Sequence, residues 1–172
     1  RPGTALSESL MLLGAHYDTV MGTPGADDNA SAVAVMLECA RLVGGGRDLS
    51  KAEPPVLFAA FSTEEPPSFG THWMGSRIFV RSLKKEGLDI QGAVVLEMVG
   101  YFREEPRTQK IPLTVKWMGF EHTADFIAVI GNGRSRHLVR EVSGAIRDSG
   151  CGLAVEDLTI PGSGYLLPEA RL

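Results

Sequence analysis

Imidazole and carboxylate groups follow apolar segments at several places in this sequence. The apolar run 12–15 leads into His16 and Asp18, which are two residues apart. On a strand, positions i and i+2 point to the same face, so we expect these two side chains to lie together. An imidazole beside a carboxylate is the ligand chemistry of zinc and of neighbouring transition metals. The sequence therefore predicts a metal-binding site that begins at this strand end.

Further acidic groups could complete such a site. They share a position within or just after an apolar or glycine-flanked segment: Asp27 and Asp28, Glu64 and Glu65, and Glu97. Adjacent acids on an extended chain point in opposite directions, so one of Glu64 and Glu65 can bind a metal while the other faces a substrate. Glu97 interrupts the apolar stretch 93–99, where a carboxylate needs a cation or hydrogen-bond donors.

Most of these groups also have a structural explanation. His16 could be a core histidine hydrogen-bonded to a neighbouring acid. Asp27 and Asp28 could cap a helix, since Asp accepts hydrogen bonds from the free N–H groups of a first turn. Glu64 and Glu65 could begin a solvated loop. A shared metal site explains all the clusters together and is the more economical hypothesis.

The elements that would position these residues alternate between strands and helices. We predict strands at residues 8–15, 56–61, 92–99, 126–130 and 154–158, and helices at 29–43, 75–85 and around 138–146. This alternation predicts an α/β fold of three layers, with a largely parallel (mixed) central sheet and helices on both faces. Ligands bind such sheets at the carboxyl ends of the strands, where the polar clusters are predicted to lie. Residues 101–124 are predicted to be irregular.

Length and composition are those of one globular domain. The chain has 172 residues, of which 44% are hydrophobic and 22% charged. Its net charge of -4 argues against nucleic acid or an anionic membrane as the main partner. The longest apolar run, residues 56–61, is too short to span a bilayer. Cys39 and Cys151 are predicted to be free thiols, which leaves the cellular compartment open.

Four ordered segments resemble the co-catalytic zinc aminopeptidases of the M28 type. These segments are Gly14–Asp18, Pro24–Ser31, Ser62–Glu65 and Leu96–Gly100, and Met74–Ser76 also matches. The resemblance covers most of residues 8–102. It implies a zinc-exopeptidase fold (phosphorylase/hydrolase-like) and a single catalytic domain over residues 1–172 that is incomplete at both ends. The chain lacks an initiator methionine and a signal peptide, so we expect part of a longer reading frame or a processed product.

The resemblance implies metal ligands at four positions: His16, Asp28, Glu65 and Glu97. Asp28 would bridge two zinc ions, and Asp18 would orient His16. Glu64 would be the general base, taking a proton from a water activated by the two metals and returning it to the leaving amine. Much of the family has Asp where this chain has Glu97. The implied substrate is a peptide with a free N-terminus.

One feature of the family is missing from this sequence. The family supplies its last zinc ligand from a histidine near the C-terminal end, usually in a Ser-Asp-His segment. Three other histidines remain. His137 is predicted on a helix surface, His122 in a solvated loop, and His72 at the surface or the rim of a substrate pocket. We interpret the absence as truncation.

A complete site would hold two zinc ions, whereas this chain alone would hold one or none and turn over poorly. Two other functions stay open at this point. One is a glutaminyl-cyclase-like transferase, which shares the fold but uses a single zinc. The other is a binding module that has kept the scaffold and lost catalysis. The sequence does not indicate the oligomeric state.

Overall fold

The structure, a computed structural model, describes residues 9–45, 54–109 and 123–160. These residues fall into two compact units that divide after Gly100. In the described ranges no helix has the length and apolar character needed to cross a bilayer. Cys39 and Cys151 are both free, as predicted. The single catalytic domain over residues 1–172 stays a prediction.

The first unit contains three parallel strands and two helices. These elements are β1 (Ser9–His16), α1 (Ala32–Gly44), β2 (Val56–Phe61), α2 (Gly75–Lys85) and β3 (Asp89–Val95). The strand order is β2-β1-β3, so β1 is the central strand. His16 pairs with Phe61, and Gly14 pairs with Val95. The three strands therefore end at one edge of the sheet.

The two helices of the first unit cover opposite faces of this sheet. On one face, Leu12 packs in a cluster that includes Phe79 of α2. On the other face, Ala15 packs with Met36 of α1. Side chains alternate between faces along a strand, so positions 12 and 15 point in opposite directions. The predicted α/β class, with parallel strands between helices, is confirmed.

The second unit consists of β4 (Phe126–Asn132), α3 (Arg136–Asp148) and β5 (Ala154–Ile160). Its two strands are parallel. The side chain of Asn132 accepts hydrogen bonds from the backbone N–H groups of Arg134, at 2.9 Å, and of Ser135, at 3.0 Å. These local hydrogen bonds stabilise the turn between β4 and α3. Asparagine side chains accept such bonds in Asx turns.

Several element boundaries differ from the predictions. The predicted bounds of β2 and α2 are confirmed. The helix predicted from residue 29 begins as a separate helical turn, Ala26–Ser31, which precedes α1. The placement of Glu97 inside a strand is wrong, because β3 ends at Val95 and Met98 has a φ of 45°. In the predicted irregular stretch, residues 101–109 form no helix or strand, and residues 110–122 lie outside the described residues.

Candidate metal centre

His16 is the last residue of β1 and is almost fully buried, with a relative accessibility of 3%. Its Nδ1 atom lies 3.0 Å from the backbone carbonyl oxygen of Asp18 and 3.5 Å from that residue's Oδ1. A carbonyl oxygen can only accept a hydrogen bond, so we assign a proton to Nδ1. The chain beyond β1 therefore directs the other ring nitrogen, Nε2, away from Asp18.

Three carboxylates surround Nε2 of His16. Asp28 Oδ1 and Glu97 Oε2 each lie 3.2 Å from this atom, and Glu64 Oε2 lies 3.9 Å away. Potential ligand atoms of His16, Asp28 and Glu97 all lie within 4.8 Å of one another. Three predicted metal ligands from three separate segments thus meet at one point, with the predicted base beside them.

Asp18 makes a contact that the sequence did not reveal. Its Oδ1 accepts a hydrogen bond from the backbone N–H of Glu64 at 3.1 Å, and its Oδ2 accepts one from the N–H of Glu65 at 3.0 Å. The carboxylate therefore joins the end of β1 to the loop after β2, in addition to its contact with His16. Bonds to backbone groups 46 and 47 positions away leave no pattern in a sequence.

The helical turn Ala26–Ser31 carries Asp28 to the cluster. It starts after Gly25, whose φ of 66° is in the left-handed region that favours glycine. Asp27 does not cap α1 with its side chain. Instead, its Oδ1 accepts a hydrogen bond at 2.8 Å from the N–H of Gly100, in the loop after β3. The acidic turn is thereby tied to the loop that carries Glu97.

Asn29 is a residue that sequence reasoning did not select. Its side chain is buried, with a relative accessibility of 1%, and it contacts the loop after β3 at three points. One of these contacts is with the carboxylate of Glu97, at 3.1 Å. Its position after two aspartates is the sequence feature that could have indicated a role at the site. A helix-capping role would have produced the same pattern.

The electrostatics of the cluster follow from crowding three acids around one imidazole. Burial lowers the pKa of His16, yet the hydrogen bond with Glu97 and the nearby negative charges outweigh burial and raise this pKa to about 9. Burial raises the pKa of Glu64 to about 7, against the lowering effect of His16. Burial also raises the pKa of Asp28 and of Glu65.

Two buried carboxylate oxygens test whether a metal fits this cluster. Within the described residues, neither Asp28 Oδ1 nor Glu65 Oε1 has a hydrogen-bond partner. Asp28 Oδ1 lies near Nε2 of His16, but outside hydrogen-bond geometry. Buried carboxylate oxygens without donors are costly unless a cation neutralises them. Oxygen and imidazole ligands suit zinc and its transition-metal neighbours, so the donor set fits such an ion.

The group of ligand atoms found among the described residues does not include the other predicted residues. Glu65 is not among the three residues whose ligand atoms cluster, although the charge of Asp28 contributes to its raised pKa. His72 is exposed and stacks beside Trp73, with ring centroids 4.6 Å apart. His137 is exposed on α3 and pairs with Glu141 at 3.1 Å, as predicted for a surface helix. His122 lies outside the described residues.

Comparison with known proteins identifies the family. The sequence model of Peptidase family M28 matches residues 1–152, most of the chain. The chain belongs to this family, and the resemblance predicted from its motifs is confirmed. No solved structure gives a significant match.

Curated relatives agree with this assignment. Over 162 residues the chain is 36% identical to the "Uncharacterized protein YfbL" of Escherichia coli, covering 89% of this chain and 47% of that protein. It is 40% identical to the "Probable lipoprotein aminopeptidase LpqL" of Mycobacterium tuberculosis, over 49% of this chain and 15% of that protein. It is 30% identical to "Aminopeptidase YwaD" of Bacillus subtilis, over 58% of this chain and 20% of that protein. The chain thus spans half or less of the relatives it matches.

Proposed function

We propose that this chain carries the catalytic centre of a metal-dependent aminopeptidase, which hydrolyses N-terminal residues from peptides. The observation that carries the proposal is the convergence of Asp28, Glu64 and Glu97 on Nε2 of His16, within 3.9 Å. Membership of family M28 and the names of two relatives support the same activity. The substrate class and the use of zinc are part of the proposal.

In this proposal four residues hold two divalent cations. His16 and Glu97 would hold the first ion and Glu65 the second, and the carboxylate of Asp28 would contribute to both. When bound, such a pair polarises the scissile carbonyl and makes a water molecule acidic near neutral pH. The oxygens Asp28 Oδ1 and Glu65 Oε1 support these assignments, because each is buried without a hydrogen bond within the described residues and can accept a cation.

Glu64 acts as the general base. Its Oε2 lies 3.9 Å from Nε2 of His16, and the backbone N–H of the same residue donates a hydrogen bond to Asp18. Without metal, burial raises its pKa to about 7. A carboxylate at this position can accept a proton from water and return it to the leaving amine. Asp18 positions this base through the backbone N–H of Glu64 and orients the ring of His16.

The acidic character of the site favours a cationic substrate end. A peptide with a free N-terminus carries an ammonium group, and Glu64 offers a partly exposed carboxylate beside the proposed metal ligands. Attraction between these groups would hold the first peptide bond at the site. An acetylated peptide lacks this charge and should react poorly.

The proposal is tested with aminoacyl reporters on the purified full chain loaded with Zn²⁺. We expect release of free amino acids, loss of release on chelation, and loss in the Glu64→Gln variant. Full activity in a preparation shown to be metal-free would overturn the proposal. Cyclisation of N-terminal glutamine without release of amino acids would favour a glutaminyl-cyclase-like transferase, and metal binding without either reaction would favour a silent binding module.

A further inference from the structure

We infer that Asn29 is the positioning residue for Glu97, holding this carboxylate against the metal site from the loop after β3. The inference rests on the proposed role of Glu97 as a metal ligand. It concerns a residue outside the proposed ligand set, since Asn29 directs its side chain to the loop and not to Nε2 of His16. Three features of the described residues carry it.

The first feature is the set of hydrogen bonds around Glu97. The Nδ2 group of Asn29 donates to the backbone carbonyl of Leu96 at 3.2 Å and to Oε2 of Glu97 at 3.1 Å. Its Oδ1 accepts a hydrogen bond from the backbone N–H of Met98 at 3.0 Å. One carboxamide thus contacts the residue before Glu97, the residue after it, and its carboxylate.

The second feature is the need for such a support. Glu97 is not held by the sheet, because β3 ends two residues earlier at Val95. Its side chain is partly exposed, with a relative accessibility of 38%, and the loop passes through a positive φ at Met98. A long side chain in this setting has many conformations, and ordering it costs side-chain entropy. The Asn29 amide restricts the carboxylate to the orientation that also reaches His16.

The third feature is the choice of an amide at this buried position. An amide supplies both the donor that Glu97 and Leu96 require and the acceptor that Met98 requires, whereas an aspartate would supply acceptors only. Burial at 1% accessibility leaves no water to replace any of the three partners. Groups that hydrogen-bond to metal ligands contribute to metal affinity, and their loss weakens binding about 10- to 100-fold.

The nearby Ser31 provides a matched control. Its hydroxyl accepts a hydrogen bond at 3.2 Å from the N–H of Val99, in the same loop, and donates one at 2.7 Å to the carbonyl of Asp27. The Ser31 hydroxyl therefore supports the loop, and none of its hydrogen bonds among the described residues is to Glu97. A purely structural role for Asn29 would make Asn29→Ala and Ser31→Ala behave alike.

The experiment is a double-mutant cycle on Co²⁺ affinity in the full chain, read by the visible absorption of bound Co²⁺. We expect Asn29→Ala to weaken binding about 10- to 100-fold and to alter the spectrum, and Ser31→Ala to leave both unchanged. In a Glu97→Ala background, Asn29→Ala should have no further effect on affinity, because the two residues act as one unit. If Asn29→Ala does not fold, Asn29→Ser takes its place in the same cycle, because serine keeps a hydroxyl in the buried site.

Equal effects of Asn29→Ala in the two backgrounds would overturn the inference, as would an unchanged Co²⁺ spectrum. These results leave the proposed function intact, since that depends on hydrolysis by the unmodified chain. Conversely, a chain that binds Co²⁺ with the expected coupling but hydrolyses no peptide would support the inference and contradict the proposed function.

Discussion

The two sheets in the described part of the chain differ in the hydrogen bonds found at the ends of their strands. At the end of β4, Asn132 bonds to backbone groups two and three positions ahead. At the ends of β1 and β3, Asp18 bonds across 46 and 47 positions and Asn29 across 67 to 69. A local network shapes one turn, whereas a long-range network sets the distances between loops. The long-range networks are found where four acidic or imidazole side chains must meet.

Within the described residues, buried polar atoms without hydrogen bonds show the same contrast. In the first unit they are Asp28 Oδ1 and Glu65 Oε1, both in the candidate metal centre. In the second unit the atom is Oγ of Ser143, in the middle of α3. The first two are charged groups for which a cation is a natural partner, whereas a hydroxyl is a weak ligand. We therefore expect an unpaired atom to have a function in the first unit and only a cost in the second.

The largest effect is expected on the hydrolysis rate, where Glu64 and Glu141 should differ. Glu64→Gln removes the proposed base and should lower the hydrolysis rate about 10²- to 10⁴-fold, with Zn²⁺ binding retained. Glu141→Gln, the same change on the surface of α3, should leave the rate unchanged, because its pairing with His137 is exposed. Steady-state rates with an aminoacyl reporter measure both. Equal rates for the two variants would contradict the assignment of Glu64.

The next effect concerns pH. Because His16 has a pKa of about 9 without metal, the ring must lose a proton before Nε2 can bind a cation. Metal affinity should therefore rise about tenfold per pH unit between about pH 7 and pH 9. Competition with a chelator of known affinity measures this slope. The exposed His137 serves as a control, since His137→Ala should not change the slope, and an affinity independent of pH would contradict the proposed ligand.

The same pKa predicts how the metal-free chain responds to pH. The folded-state pKa of His16 lies above its ordinary value of 6.5, so the folded state binds the extra proton more tightly. This contribution to stability is complete below about pH 6.5 and is lost as pH rises through about 9. Urea unfolding of metal-free protein should show a falling free energy over this range. Stability that rises with pH would contradict the assigned environment of His16.

A smaller effect tests the local network in the second unit. Asn132→Ala removes the acceptor for two backbone N–H groups and should lower the free energy of unfolding by about 0.5–2 kcal/mol, as loss of a helix cap does. Metal affinity should not change, in contrast to Asn29→Ala. Urea unfolding and a Co²⁺ titration give the two readouts. Weakened Co²⁺ binding would show that the local network also serves the site.

The smallest effect is expected at Ser143. Its Oγ is buried without a hydrogen-bond partner in the described part of the chain, so Ser143→Ala removes a desolvated polar atom. The free energy of unfolding should stay the same or rise by up to about 1 kcal/mol. Asp28→Ala, which also removes a buried oxygen without a hydrogen bond, should abolish metal binding. A destabilised Ser143→Ala variant would show that the hydroxyl has a partner.

The elements of this fold were predictable where their patterns were strong. The apolar run 56–61 and the amphipathic segment 75–85 have the predicted bounds. A continuous apolar run and a helical spacing of apolar residues are both recognisable in a sequence. The end of β3 was not predictable, since Leu96 and Met98 are apolar although the sheet has ended. Leu96 packs against the cluster of Ala15 and Met36, which resembles strand burial in a sequence, whereas Met98 is exposed.

The candidate site was predictable in its charged residues and not in its supports. His16 and Glu97 lie at or just after a strand end and Asp28 lies in an acidic turn, and the structure brings the three residues together. The bonds from Asp18 to the backbone of Glu64 and Glu65 depend on main-chain direction, which no side-chain pattern encodes. Asn29 was overlooked for a related reason, because an asparagine after two acids is also typical of a helix start.

The hydrogen bonds from main-chain N–H groups to Asp18 have an evolutionary consequence. Every amino acid except proline carries the N–H group that Asp18 holds at positions 64 and 65. New side chains could therefore be tried at either place while the loop keeps its anchor. Single substitutions at these two positions could therefore change the chemistry of the site while the backbone of the loop stays in place.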